Sequence, residues 1–266
     1  MLRIAGLTAL ATMLACGAAL AEQPQRVVSL DYCADQFVLK FLPRERILAL
    51  SPDAEKEFSY MREAAEGIPK VRAVAEDVLA LKPDLIVRSY GGGPRSGIFF
   101  EHAGVNVVQI PFANTLGDVR QMLISVSQEL GVPERGIAIR AEMDRRLALV
   151  SRKSASRKAL YMTPNGVTSG TGTLINGMLL AANLENFEQR SGWHPIPLET
   201  LAYQQPDLVA AAFFESKSGH PLMWSATRHP VAQRQLREQE TVMLQGAWTS
   251  CGGWFLMDAI EALAGS

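Results

Sequence analysis

The cysteines and histidines are the residues whose types could support metal binding or nucleophilic catalysis. The histidines show none of the short spacings that hold a bare metal ion; they are His102, His194, His220 and His229. A Cys/His hydrolase built from Cys251 and His229 is one alternative, but the sequence has no G-x-S-x-G, H-E-x-x-H or Walker motif. A protein that binds a bare metal ion is the other. We expect no catalytic site and no bound bare metal.

Residues 1–21 have the pattern of a cleaved secretory signal peptide. One basic residue, Arg3, precedes an apolar run from Ile4 to Leu14, and small residues follow up to Ala21. The run is too short to span a bilayer, and no later segment has the roughly 20 apolar residues that a membrane helix requires. We therefore expect a periplasmic protein. A lipid anchor on Cys16 is the alternative, although the residues before it match such a signal imperfectly.

The cysteines that remain after removal of the signal are Cys33 and Cys251. In an oxidising compartment, two cysteines favour a single disulfide, which here would join distant parts of the chain. Free thiols would instead suit ligation of a metal centre, especially at Cys33 near a predicted helix start. We favour the disulfide, and the thiol alternative stays open.

Charge and length narrow the partners and the architecture. The formal net charge of -1 and the pI near 6.4 give no electrostatic reason to expect a nucleic acid partner. Residues 22–266 are enough for either one large domain or two lobes of modest size.

One pattern occurs twice in the chain. EDVLALKPDLIV at Glu76–Val87 and ETLAYQQPDLVA at Glu199–Ala210 each contain an acidic residue, a short helix pattern, Pro-Asp and a strand, at a constant offset of 123. Pro-Asp before a strand is common in α/β proteins, because Pro ends a helix and Asp opens a turn. The flanking elements also recur in the same order, however. We therefore predict two similar α/β lobes with parallel sheets.

A long helix is predicted between the lobes. Pro133 suits a first helical position, and Ile139, Met143 and Leu147 follow at helical spacing. One continuous helix would restrict the lobes to small rocking motions. We assign an N-terminal lobe to 22–131, the inter-lobe helix to 132–155 and a C-terminal lobe to 156–266.

Two lobes on one helix leave a cleft between them, lined by loops at the carboxyl ends of the strands. These loops carry aromatic and polar side chains with little charge. Aromatic rings supply apolar contact area and an arginine can bind an anionic group, so we expect a bulky, partly flat ligand. The candidate ligand-binding residues are Tyr32, Tyr90, Arg95, Phe112, Asn165, Thr171, Phe214, Trp224 and Trp248.

The chain resembles the periplasmic binding proteins of iron-siderophore, haem and cobalamin ABC importers, and in particular the vitamin B12-binding type. The resemblance rests on RVVSL, the two repeated segments, the long helix and TSGTGT. It implies two α/β lobes on one helix, a ligand in the cleft, no enzymatic activity and no cofactor. The implied function is that of a monomeric carrier of a metal chelate, a ferric siderophore first, with cobalamin or haem as the alternative.

The resemblance also gives the repeat a meaning. In such proteins one surface glutamate on each lobe docks onto arginines of the two membrane permease subunits, and the matching positions here are Glu76 and Glu199. A permease dimer offers two equivalent basic patches, which two equivalent acids would suit. The simpler alternative is that each glutamate only stabilises the start of its helix through the helix dipole.

Overall fold

The chain folds around two four-stranded parallel sheets, one in each half. The computed structural model describes residues 23–150, 157–213 and 225–266. The predicted signal peptide, Cys16, Phe214 and Trp224 lie outside these residues. Within them, no helix is long and apolar enough to cross a membrane.

The first sheet has strand order β2-β1-β3-β4. Its strands are β1 Val27–Ser29, β2 Ile47–Ala49, β3 Leu85–Arg88 and β4 Asn106–Gln109, and its helices are α1 Tyr32–Phe41, α2 Ala75–Ala80, α3 Ser96–His102 and α4 Leu116–Glu129. Alternate strand residues enter two different core clusters: Val27 packs with Phe37 of α1, whereas Val28 packs with Phe100 of α3. Both faces of the sheet are therefore covered, as a parallel sheet requires.

The second sheet has the order β10-β9-β5-β7. Its strands are β5 Arg157–Met162, β7 Leu184–Asn186, β9 Leu208–Phe213 and β10 Glu240–Gln245, and its helices are α6 Leu174–Ala181, α7 Leu198–Tyr203, α8 Pro230–Glu238 and α9 Leu256–Ala264. A small antiparallel pair, β6 Val167–Ser169 with β8 Trp193–Pro195, is added to this half. Helix α6 starts at Leu174, because Gly170 donates its backbone N–H to the Gly192 carbonyl and the Thr173 side chain caps the helix.

The two sheets have equivalent strand orders, and the repeat occupies equivalent positions in them. Helices α2 and α7 begin 123 residues apart, as do β3 and β9. Asp84 accepts hydrogen bonds from the backbone N–H groups of Gln25 and Arg26, at 2.7 and 3.0 Å, and Asp207 accepts one from Lys158 at 2.7 Å. Each Pro-Asp therefore ties the start of one strand to the start of its neighbour, which confirms the predicted pair of similar α/β lobes.

Helix α5, Pro133–Leu149, lies between the two halves of the chain. It begins at the predicted proline, and its last helical residue is Leu149, because Val150 is already extended. The rest of the predicted range, 151–155, lies outside the described residues. It packs against α4 and α9. Gly136 of α5 is buried against Ser127 of α4, which permits a close approach of the two helices.

Candidate ligand-binding cleft

A cleft of about 530 Å³ lies where residues from both halves of the chain meet. The first half contributes residues that follow β1, β3 and β4, at the carboxyl end of the first sheet, as expected for an open α/β sheet. The second half contributes the start of α6, Trp193 of β8 and the segment after β10. The volume falls in the range of about 300 to 1,000 Å³ that is usual for small-molecule sites.

The first wall of the cleft is aromatic. Tyr32 opens α1, and its ring lies edge-on to Phe58 at 4.7 Å and to Tyr90 at 6.0 Å between ring centroids. Tyr90 is half exposed, and Phe112 is 83% exposed, so their rings are available to a ligand. Burial raises the pKa of both phenols, and the nearby charge of Asp31 raises it further, whereas hydrogen bonding with Tyr90 partly offsets the rise in the pKa of Tyr32. Both phenols are therefore neutral hydrogen-bonding groups near pH 7.

The opposite wall centres on Trp193. Its ring is half exposed and lies edge-on to buried Tyr161, with 6.2 Å between centroids. The Tyr161 hydroxyl lies 2.9 Å from the Thr249 hydroxyl, and Thr249 also lines the cleft. Burial raises the pKa of Tyr161 to about 12, so this phenol is neutral near pH 7 where it packs against Trp193.

A disulfide joins the two sides of the cleft. Cys33 of α1 and Cys251, which follows β10, form the bond across 218 positions of sequence, with 5.7 Å between their Cα atoms. Both residues line the cleft. The bond leaves neither sulfur as a thiolate, so the oxidised protein has no Cys251 nucleophile for a Cys/His hydrolase and no thiol ligand at this position.

The cleft lining carries no formal charge. Its residues all belong to the described ranges, and none is Asp, Glu, Lys, Arg or His. Across those ranges, no group of three or more His, Cys, Asp or Glu side chains could hold a metal ion. His194 instead bonds to Ser191, and the ring of His229 accepts a hydrogen bond at the start of α8. The described lining therefore suits a neutral or weakly charged ligand.

The structure brings only part of the predicted ligand set together. Tyr32, Tyr90 and Phe112 line the cleft, whereas four other candidates do not: Arg95, Asn165, Thr171 and Trp248. Arg95 precedes α3 with its side chain exposed, and Trp248 packs against the main core. Phe214 and Trp224 lie outside the described residues.

Trp193 was absent from the predicted ligand set. It reaches the cleft because Gly192, at a φ of 91°, turns the chain into the short strand β8. A strand of three residues is too short for its alternating pattern to predict it. A tryptophan directly after a glycine in a polar segment could still have indicated an exposed ring at a turn.

The two repeated glutamates lie on helices rather than in the cleft. Glu76 and Glu199 are exposed in the first turns of α2 and α7. Neither helix has a side-chain cap, so each acid also favours its helix start through the dipole.

Comparison with known proteins identifies one family and many solved structures with the same fold. The sequence profile of a family described as periplasmic binding protein matches residues 56–220. No curated protein matches the chain. The family match spans more than half of the 266 residues.

Three solved structures illustrate the fold. A periplasmic haem-binding protein from Pseudomonas aeruginosa is 23% identical, with a TM-score of 0.68 over 91% of each chain. A possible iron-binding periplasmic protein from Staphylococcus epidermidis is 18% identical, with a TM-score of 0.71 over 92% of this chain and 98% of that one. A periplasmic vitamin B12-binding protein of Vibrio cholerae is 17% identical, with a TM-score of 0.64 over 91% and 96%. At these identities the likeness shows the fold alone.

Proposed function

This chain belongs to the periplasmic binding protein family, and from that premise we propose that it is the substrate-binding component of an ABC importer, which captures a metal chelate and delivers it to a membrane permease. Family membership implies an extracytoplasmic location and solute binding. The observation that carries the proposal is the uncharged, aromatic cleft between the two halves, of a size that suits a small molecule.

The first candidate ligand is a ferric siderophore, of the neutral hydroxamate class. Such a chelate completes the coordination of its iron, so it needs no metal ligand from the protein. Its surface offers carbonyl and hydroxamate oxygens, to which the protonated phenols of Tyr32 and Tyr90 can donate hydrogen bonds. The described residues of the lining include no cation, and burying a highly anionic catecholate complex against them would cost much more free energy.

Haem is the second candidate, and cobalamin is a further one of the same fold class. Two tyrosines in the cleft favour haem, because a phenolate oxygen can ligate haem iron. The pKa of both phenols is raised in the ligand-free protein, so ligation would require the iron to displace a phenol proton. We place the siderophore first because its iron is already fully coordinated and takes no ligand from the protein.

A fluorescence titration of the mature protein tests the ligand class. Four tryptophans are present, and Trp193 is exposed in the cleft, so a coloured ligand should quench its emission. We expect saturable quenching by a ferric trihydroxamate at micromolar or lower concentration. Haemin, cobalamin and a ferric catecholate are titrated in parallel. A Trp193→Phe variant should lose the part of the quenching that comes from this ring, because the ring lines the cleft. Saturable quenching by haemin alone would make haem the proposed ligand. No saturable quenching by any of the four ligands would overturn the proposal.

The proposed permease contacts are Glu76 and Glu199. Reversing both charges, Glu76→Lys with Glu199→Lys, should abolish uptake in cells that carry the importer, because two acid-to-arginine contacts become repulsive. Ligand affinity should stay unchanged, since both side chains lie outside the cleft lining.

A matched control reverses one exposed glutamate in each half outside the proposed contacts, Glu101→Lys with Glu185→Lys. This control should transport normally. Equal loss of uptake in both double variants, or loss of ligand affinity in the first, would rule out the docking assignment.

A further inference from the structure

The loop after β3, residues 89–93, is held by a buried carboxylate. Asp31 is 3% exposed, and its Oδ2 accepts three successive backbone N–H groups: Ser89 at 2.7 Å, Tyr90 at 3.1 Å and Gly91 at 2.9 Å. Its Oδ1 accepts the Ser89 hydroxyl at 2.9 Å and the N–H of Ala34 in α1 at 3.0 Å. One side chain therefore fixes the loop to the first turn of the helix.

A buried arginine holds the same loop through its carbonyl groups. Arg88 is 7% exposed, and it donates from Nε to the Gly91 oxygen and from Nη2 to the Gly93 oxygen, each at 2.9 Å. Its Nη1 donates to Gln109 Oε1 at 2.7 Å, and Gln109 in turn donates to the Ser89 carbonyl. The loop is thus held by two opposite charges, and neither of the two residues lines the cleft.

The loop would be mobile without these contacts. Gly92 and Gly93 have φ values of 78° and 84°, which glycine adopts at little cost, and a glycine-rich segment loses much conformational entropy when it is ordered. Gly91 lies so close to the Leu30 carbonyl that a Cβ there would overlap it. The fixed loop presents Tyr90, and Tyr32 follows Asp31 directly in the chain.

We propose that Asp31 and Arg88 are positioning residues, which hold the Tyr90 ring beside Tyr32 and so preorganise the first wall of the cleft. The inference rests on the proposed function for its effect on ligand binding. Preorganisation raises affinity because the loop and the ring lose their conformational entropy when the protein folds, so they lose little more when the ligand binds. The same two residues keep their charges out of the described lining, since each charge is hydrogen-bonded to the loop and to one neighbouring element.

A double-mutant cycle tests the ligand effect. Asp31→Asn should weaken the affinity for a ferric trihydroxamate about threefold to tenfold, the factor expected when one loop and one aromatic side chain must be ordered on binding. In a Tyr90→Ala background the same substitution should have no further effect, because the ring that it positions is gone. An equal loss in both backgrounds would show that Asp31 acts only through general stability and would overturn the inference. The same cycle is repeated with haemin as the ligand, and the same two outcomes support or overturn the inference.

The matched control is Asp84→Asn. Asp84 also binds backbone N–H groups next to β3, at the other end of that strand and outside the cleft lining. It should lower stability and leave affinity unchanged. Should Asp31→Asn fail to fold, Arg88→Gln enters the cycle in its place and must give the same dependence on Tyr90.

A second readout needs no ligand. The chain has five tyrosines, so 3-fluorotyrosine labelling gives few ¹⁹F resonances, and Tyr90→Phe identifies that of Tyr90. Asp31→Asn should shift this resonance toward that of free fluorotyrosine, and Asp84→Asn should not. An unmoved Tyr90 resonance would overturn the positioning role. A moved resonance in a protein that binds none of the probes would support the positioning role while the proposed function fails.

Discussion

Asp31 and Asp35 lie one helical turn apart at the start of α1, yet the two carboxylates have different hydrogen-bond partners. Asp31 accepts five hydrogen bonds that are all local to the loop and helix start. Asp35 is fully buried and accepts from Ser51 N at 3.1 Å and Ser51 Oγ at 2.6 Å. Burial raises the pKa of Asp35 to about 6, and hydrogen bonds from Ser29 and Ser51 only partly oppose the rise. Asp35 therefore carries the cost of a buried charge near pH 7.

The buried charge of Asp35 predicts a pH dependence of stability. Its pKa is higher in the folded protein, about 6, than the ordinary value of 3.8, so its contribution to stability is fully present below pH 3.8 and is lost as pH rises through 6. Asp35→Asn removes this dependence. Between pH 7.5 and pH 4 the native protein should gain on the order of 3 kcal/mol in its free energy of unfolding from the protonation of Asp35, and the variant should lack this gain. Urea unfolding of both proteins at the two pH values measures the difference; parallel pH profiles would contradict the assignment.

Trp193 should supply much of the ligand contact from the second half. Trp193→Ala removes its exposed ring from the cleft and should weaken the affinity for the chelate by about 1 to 2 kcal/mol, or fivefold to thirtyfold. Isothermal calorimetry or fluorescence of the remaining tryptophans measures it. Tyr203→Ala is the control, because that ring is 91% exposed and lies outside the cleft lining. Equal affinities for the native protein and Trp193→Ala would exclude this ring from the binding site.

At the scale of elements, local chemistry accounts for much of what sequence predicts. Thr115 accepts a hydrogen bond from the Asp118 N–H, and Asp118 accepts one from the Thr115 N–H, which makes a capping box at the start of α4. Both partners lie within four positions of each other, and no distant contact is needed to form the pair. The short strands β6 to β8 were not predicted, because each of them pairs with a strand that is distant in the sequence.

The contact between α4 and α5 should tolerate no extra side-chain atom. A Cβ at Gly136 would overlap Ser127 Oγ and the Leu123 carbonyl, so Gly136→Ala should lower the free energy of unfolding by about 1 to 3 kcal/mol. Alanine forms helices better than glycine by about 1 kcal/mol, so the loss must come from packing.

Gly177→Ala in α6 is the matched control for Gly136→Ala. A Cβ there would meet its nearest neighbour, Leu116, only at 4.0 Å, so this variant should gain stability through helix propensity. Thermal or urea unfolding compares the two variants, and a stabilising Gly136→Ala would show that the two helices pack less tightly than the structure has them.

At the scale of the molecule, the segment after β10 belongs by sequence to the second half but is held by the first. Cys251 is bonded to Cys33, and Trp254 lies edge-on to Phe37 of α1, with 5.6 Å between centroids. Farther along, Asp258 of α9 accepts hydrogen bonds from the Tyr60 hydroxyl and from Arg146 of α5, each at 2.7 Å. The disulfide, the contact of the two rings and the hydrogen bond between Tyr60 and Asp258 therefore connect the two halves at this end. We expect any motion of the lobes to be largest at the opposite end of the cleft.

Loss of the disulfide should destabilise the whole molecule. The bond closes a loop across 218 positions, and removal of such a constraint on the unfolded chain costs about 2 to 5 kcal/mol. A Cys33→Ser, Cys251→Ser variant should therefore unfold at lower urea concentration, and reductant should bring the native protein to the same midpoint. The double variant is its own control, since reductant should leave it unchanged. Identical midpoints for the oxidised, reduced and mutated forms would refute a stabilising role.

The sequence by itself determined the family, the alternation of strands and helices, the repeated lobes and the offset of 123, because these depend on patterns within a few residues or on recurring motifs. Only the tertiary structure decided which aromatic side chains meet in the cleft. Tyr32, Tyr90 and Phe112 reach it, Trp193 joins them from a short antiparallel strand that sequence did not reveal, and Trp254 is buried in the core. The physical reason is distance along the chain: the contacts that orient these rings connect residues tens to hundreds of positions apart, and no local periodicity records them.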